Sequence, residues 1–422
     1  MGRIMKDSSI AWIGEIPEHW DIHPVYLYFD ERKSTNYKMQ EQNLLSLSYG
    51  NIIRKDINTN GGLLPISFTT YNIVEKRDII IRPTDLQNDK KSLRTGLVKE
   101  RGIITSAYIA LKPKYSHSSR FYHYMLHAAD ISKVFYNMGN GVRQGLNYSE
   151  FSKLQILSPS PDEQETIADY LDKKTAEIDA AIKEAQELID KYKEYKQSII
   201  TEAVTKGLDS NVPMKDSGVE WIGEIPKHWG CHPVYVYFGE RKNLNYRMQE
   251  QNLLSLSYGK IIRKDINTNG GLLPVSFITY NIVEDGDIII RPTDLQNDKK
   301  SLRTGLVKER GIITSAYIAL KPKFKQSSRY YHYMLHAADV CKVFYNMGNG
   351  VRQGLNYSEF SKLMMISPSV SEQEAIADFL DDKCSQIDSI ISNKENLISK
   401  LQEYRKSIIF EYVTGKKEVP NG

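Results

Sequence analysis

Cysteine is nearly absent from this chain. Of 422 residues only Cys231, Cys341 and Cys384 are cysteine, and all three lie in the second half. At the equivalent places 209 residues earlier stand Ile22, Ser132 and Thr175, so the halves share no disulfide framework. Free thiols in a reducing, cytoplasmic setting are the expectation. Long apolar runs are missing too. Nothing approaches the roughly 20 residues that cross a bilayer, so no membrane role is expected. The start, Met1-Gly2-Arg3-Ile4-Met5-Lys6-Asp7, carries no apolar signal core. An excess of one sign of charge is also lacking. Lys and Arg number 56 against 52 Asp and Glu, a formal net charge of +4. That is too weak to show nucleic-acid binding, although it allows basic patches offset by acidic helices.

Enzyme signatures are lacking as well. There is no Gly-x-x-x-x-Gly-Lys-Ser/Thr loop, no Asn/Asp-Pro-Pro-Tyr/Phe, no Gly-x-Ser-x-Gly and no His-Glu-x-x-His. Asp85 and Asp89 with Lys91 stand too close together in sequence for a nuclease carboxylate–lysine pattern. His123 and His127, repeated as His332 and His336, have i,i+4 spacing on an expected helix. Without a third ligand nearby they read as ordinary core or surface histidines, and no metal is expected.

What the chain does have is itself, twice. Residues 78–114 recur unchanged as 287–323, and 133–154 as 342–363, at a constant offset of 209. Solenoid units run to about 20–50 residues, so this is not a solenoid. Each copy is long enough to bury its own core. One surface is therefore presented twice, which suits a ligand with two equivalent halves.

Each copy divides into a mixed globular part and a long helix. Short runs rich in Ile, Leu and Tyr predict strands over 44–49, 78–82, 102–106, 107–111 and 154–157. Residues 58–62 predict a turn, and Ser118-Ser119 predicts the cap of a helix running to about Lys133. Ser160-Pro161-Asp162-Glu163 is a helix start with a capping box, kept as Ser369-Val370-Ser371-Glu372. No Pro or Gly follows until Gly207, which predicts a rod of roughly 65–70 Å. Leu171, Ile178, Ala185, Tyr192 and Ile199 recur every seven residues, beside Ile182 and Ile189. The second helix has Leu380, Ile387, Leu401 and Ile408 beside Ile391 and Ile398, interrupted by Lys394. Such a stripe predicts coiled-coil packing, most simply of one helix against the other.

Three polar elements could meet DNA. The first is Arg54-Lys55, repeated as Arg263-Lys264. The second is a loop after a strand, with Arg82, Thr84, Gln87, Asn88, Lys90, Lys91 and Arg94, repeated as Arg291, Thr293, Gln296, Asn297, Lys299, Lys300 and Arg303. The third holds Arg143 and Gln144, repeated as Arg352 and Gln353, between glycines that permit close approach. Arg and Lys suit phosphates and guanine edges, while Asn and Gln can pair with adenine. The bland alternatives are a solvated loop for the second element and a braced turn for the third.

At this point the residues resemble a family, the specificity subunits of type I restriction-modification systems. The Trp12-Ile13-Gly14-Glu15-Ile16-Pro17-Glu18-His19-Trp20 segment resembles the opening of that family's target-recognition domain, and it returns at 221–229. Residues 141–148, leading to Ser158-Pro159, resemble its close. Glu163-Gln164-Glu165-x-Ile167-Ala168-x-x-Leu171-Asp172 resembles the start of its helix and is matched at 372–381.

The resemblance covers nearly the whole chain and implies an α+β fold. Two near-identical mixed α/β target-recognition domains (1–158 and 208–367) would be joined by two long antiparallel coiled-coil helices (159–207 and 368–414). The arrangement would be pseudo-two-fold symmetric, with a short tail at 415–422. The resemblance also implies a non-catalytic reader of bipartite double-stranded DNA, bound to two methyltransferase subunits, with room for ATP- and Mg-dependent restriction subunits. S-adenosylmethionine would belong to the partners, and this chain would bind no cofactor. One departure stands out. The two recognition domains of this family usually differ, whereas these nearly coincide, implying one half-site read twice in inverted orientation. The alternative from another class is a free-standing, two-headed DNA-binding regulator.

Overall fold

The computed structural model describes residues 3–57, 65, 67–84, 86, 93–138, 145–266, 274, 276–293, 295, 302–347 and 354–420. The chain folds as two compact units, Met1–Gln186 with Asn396–Gly422, and Glu187–Glu395. Each long helix is thus shared: its first part belongs to the head that precedes it, and its last part to the other unit.

The first head is built on an antiparallel sheet of Phe29–Glu31, Ile109–Pro113, Ile79–Ile81 and Thr95–Leu97, in that order. Its centre is the run Ile79, Ile80, Ile81, all wholly buried. A three-residue apolar run can be buried throughout only if both sheet faces are covered. Ile79 and Ile81 face a large core with Trp20, Phe121, Met125 and Leu171. Ile80 faces a smaller one with Leu45, Leu47, Val74 and Ile104. The first core is closed by the helix Ser119–Ile131, capped by Ser118, whose Oγ accepts from the Phe121 N–H. The second is closed by the hairpin Leu45–Ser48 and Asn51–Arg54 and by the pair Asn72–Val74 and Gly102–Ile104. The second head repeats this plan strand for strand; in both, a parallel bridge, Leu44–Ile103 and Leu253–Ile312, joins the hairpin to the pair. The sequence-based strands are met within a residue or two. One end differs: Tyr49 lies in the turn and not in the strand. The turn expected over 58–62 lies outside the described residues.

The two long helices run Pro161–Lys206 and Val370–Val413. Both capping boxes form. Ser160 and Glu163 exchange backbone-to-side-chain bonds of 3.2 and 3.3 Å, and Ser369 and Glu372 do so at 3.0 and 3.3 Å. Within the first unit the helices pair antiparallel. Tyr170 meets Tyr412 at a ring separation of 4.5 Å, and Asp179 meets Arg405 at 3.0 Å. Within the second unit Lys196 meets Asp388 at 2.6 Å, and Ile200 and Val204 share a core with Leu380 and Cys384. The seven-residue row is followed only in part. Leu171, Ile178 and Ala185 are buried, Tyr192 and Ile199 half-buried, and burial passes to Ile200, Ala203 and Val204. A straight helix drifts about 20° per heptad against a fixed 3.5 repeat, which moves the seam sideways. Lys394 is half-buried in the stretch of the second helix where Ile391 and Ile398 are also only half-buried. Cys231, Cys341 and Cys384 are free. Among the described residues, no helix is long and apolar enough to cross a membrane.

Candidate nucleic-acid interface

The loop leaving Ile81 is anchored by a residue that the sequence suggested for DNA. Arg94 is wholly buried, and its Nη1 donates to the carbonyl of Thr84 at 2.6 Å and of Arg82 at 3.4 Å. Its guanidinium lies 5.3 Å from the centre of the Tyr136 ring. Its own N–H donates to Asp130 at 2.6 Å, at the end of the capped helix, and the Arg82 N–H returns to the Arg94 carbonyl at 2.8 Å. Arg303 repeats this with Thr293 at 2.6 Å and Asp339 at 2.6 Å. These arginines therefore brace the base of the loop from inside. A wholly buried guanidinium that holds carbonyls is turned from solvent. Beside them, Leu86 and Leu295 are buried plugs. The rest of the polar loop, with Gln87, Asn88, Lys90, Lys91, Gln296, Asn297, Lys299 and Lys300, lies outside the described residues, as do Arg143, Gln144, Arg352 and Gln353.

The structure nevertheless brings the second and third elements together. The Leu146 N–H donates to the Pro83 carbonyl at 3.0 Å, and Leu355 does the same to Pro292 at 3.0 Å. Asn147 caps the short helix that follows, and Tyr148 donates its hydroxyl to the Phe29 carbonyl at 2.8 Å. The first element is only half convergent. The hairpin tip at Gly50 packs on Leu93, where the loop returns: a Cβ placed there would stand 3.2 Å from the Leu93 side chain. Arg54 and Lys55 lie at the other end of the hairpin, where Arg54 pairs with Leu45 across the ladder. At about 3.4 Å per residue that is roughly 15 Å from the tip. Arg54 is exposed and held by Glu100, as Arg263 is by Glu309. The hydrogen bond with Arg54 and its charge hold the Glu100 carboxyl below its ordinary value. Lys55 is exposed.

One feature is not singled out by the sequence pattern. Tyr49 and Gly50 form the two-residue turn of that hairpin, with φ of 45° and 83°, and Tyr49 is 74% exposed. Tyr258 and Gly259 repeat it at 45° and 79°, with Tyr258 78% exposed. The signal was a Tyr-Gly pair between two strand-like runs; tyrosine's β propensity masked it.

Between the tip and the helix pair of the first unit lies a cleft of about 920 Å³, lined by Lys76, Arg77, Lys99, His123, Asp179 and Arg405 among others. His127 is almost wholly buried. Burial brings His123 down to about 4 and His127, also facing His123, to about 3. Both are held neutral, His127 in the core and His123 at the cleft wall, and no three-residue metal cluster occurs among the described residues. The cleft's Lys76 and Arg77 are replaced by Asp285 and Gly286 in the second copy. The loop is the same in both copies and the hairpin differs only at Asn51 and Lys260, whereas this wall changes its charge.

The opening and helix-start motifs meet on one carboxylate in each unit. Glu163 accepts from Trp20 at 3.2 Å and lies 2.9 Å from His19; Glu372 accepts from Trp229 at 3.0 Å and lies 2.7 Å from His228. Burial alone would raise both carboxyls. The hydrogen bonds from these side chains and from the capping serines outweigh it and hold each at about 2.

No family model and no curated protein matches the sequence. Solved structures do match. A chain from a structure on complex assembly and conformational transition of the type I R-M system is similar at a TM-score of 0.69 and 11% identity, covering 95% of this chain and 99% of that one. The HsdS subunit from Thermoanaerobacter tengcongensis is similar at 0.51 and 12%, covering 95% and 98%. The resemblance carried by short motifs thus meets an independent likeness along nearly the whole length: this chain has the fold of type I specificity subunits.

Proposed function

We propose that the chain is the DNA-recognition subunit of a type I restriction-modification complex, with no chemistry of its own. One observation carries the reading. The same polar loop, identical over 78–114 and 287–323, and the same hairpin, differing only at Asn51 and Lys260, stand on two heads of this fold. A surface offered twice fits a DNA target with two equal halves. Apart from the buried braces Arg94 and Arg303, its basic side chains are of the types that suit phosphates and base edges. The chemistry then belongs to methyltransferase subunits that use S-adenosylmethionine, and any cleavage to ATP-dependent restriction subunits. The capped, uninterrupted helices would hold those partners and the half-site spacing.

The test is labelled S-adenosylmethionine on duplex DNA, with and without the modification subunit, followed by methylation sequencing. Methylation is expected only with the partner, on one adenine per half-site on opposite strands, at an interrupted palindrome. DNA binding that needs no partner and supports no methylation would favour a free-standing regulator. A direct repeat or an asymmetric motif would refute equivalent, inverted reading.

A further inference from the structure

We propose that Tyr49 and Tyr258 are themselves DNA contacts, each laying its ring against the bases of one half-site; this rests on the recognition reading above. A two-residue hairpin turn with positive φ at both central positions asks for Asn-Gly, Asp-Gly or Gly-Gly. Here a bulky aromatic stands at the first position, with φ of 45° in both copies. The strain is not repaid by burial, because the rings are 74% and 78% exposed. Residues held in a strained backbone cluster at functional sites.

The setting matches DNA. The same hairpin carries exposed Lys55 and Lys264. In the second copy the residue after the Tyr-Gly pair is the exposed Lys260, where the first has Asn51. Ile53 and Ile262 are also exposed on these strands. A β-ribbon is narrow enough for the major groove. Gly50 against Leu93 and Gly259 against Leu302 place the tip beside the return of the polar loop, so ring and loop would address adjoining bases. Aromatic contact tolerates any base but favours steps that unstack easily, so the ring would add affinity and shape preference more than letter-by-letter reading.

The experiment uses the full chain assembled with its modification subunit and a fluorescent duplex carrying the motif found by methylation sequencing. Tyr49→Gly with Tyr258→Gly removes the rings and relieves the backbone. It should weaken binding by about tenfold or more, with a melting temperature no lower than that of the parent. Tyr49→Phe with Tyr258→Phe should bind within about threefold, because the ring and not the hydroxyl makes the contact. Tyr49→Asn with Tyr258→Asn, a natural fit for the turn, should behave as the glycine pair does. Parent-like binding by a stable glycine pair would overturn the inference and leave the recognition reading intact. Glycine variants that no longer assemble with the modification subunit would overturn it too, by putting the rings against protein. A parent complex that neither binds duplex nor leaves a methylated motif would remove the recognition reading, and the inference with it.

Discussion

The indole N–H of Trp20 donates to the carboxylate of Glu163 at 3.2 Å, across 143 residues of sequence. Trp229 makes the same bond to Glu372 at 3.0 Å. The opening of each head is thereby tied to the first turn of the long helix that leaves it. Because each glutamate also completes its helix's capping box, one side chain sets both where the helix begins and where the head sits on it.

Lowering the pH should release this junction. Each carboxyl is held near 2, below its ordinary 4.5, so its contribution is present above about 4.5 and lost as pH falls toward 2. A second loss comes earlier. His123, His127, His332 and His336 are kept neutral by burial, at about 4, 3, 4 and 3 against an ordinary 6.5. The unfolded chain takes up their protons first, so stability falls as pH drops from about 6.5 toward 4. Urea midpoints across pH should show both falls. His127→Gln with His336→Gln should shrink the upper one, leaving the share of His123 and His332, and keep the lower in place.

Arg94→Ala with Arg303→Ala should act on stability. Each substitution removes a wholly buried side chain and its charged-donor hydrogen bond to the Thr84 or Thr293 carbonyl, a loss of about 1.5–3 kcal/mol per head. Arg→Lys should rescue poorly, because one ammonium does not reproduce the planar fork. Lys55→Ala with Lys264→Ala should do the opposite, sparing stability and reducing the salt-dependence slope of DNA binding by about one for each phosphate no longer neutralised. Denaturation curves and salt titrations on the two double variants separate these outcomes. A lower slope with unchanged stability in the arginine pair would put its guanidinium on DNA.

Gly415→Ala should destabilise the first unit. The residue has φ of 71°, and an added Cβ would overlap the Pro17 ring and stand 3.1 Å from Trp20. The left-handed backbone alone costs roughly 1 kcal/mol or more for an L side chain, and the overlap adds to it. Thermal unfolding should show a lower first transition or a lower midpoint.

Adding one heptad to both long helices, after Glu187 and after Glu395, should lengthen the DNA spacer. Seven residues keep the seam in phase and add about 10.5 Å at 1.5 Å each, close to three base-pair steps of about 3.4 Å. Methylation sequencing should return the same half-sites with about three more spacer base pairs. An unchanged spacer in an active complex would mean the helices do not set the distance.

The sequence by itself determined the duplication, the two head plans, the helix starts at Ser160 and Ser369, and the stop at Gly207. These rest on local signals: identity at a constant offset, hydrogen bonds spanning three residues, and the absence of Pro and Gly over some 45 positions. Burial, by contrast, is decided by what arrives from elsewhere in the chain. Arg94 reads as a basic loop residue until Tyr136 and the Thr84 carbonyl close around it. Tyr49 reads as the end of a strand until the register of Leu45–Ser48 with Asn51–Arg54 leaves it at the tip, in solvent. Arg54 reads as half of a basic pair open to DNA until Glu100 pairs with it. Pattern and caps are written into neighbouring residues. Which polar side chain becomes an internal brace, and which aromatic is left outside, depends on the space other segments fill, and only the tertiary structure decides that.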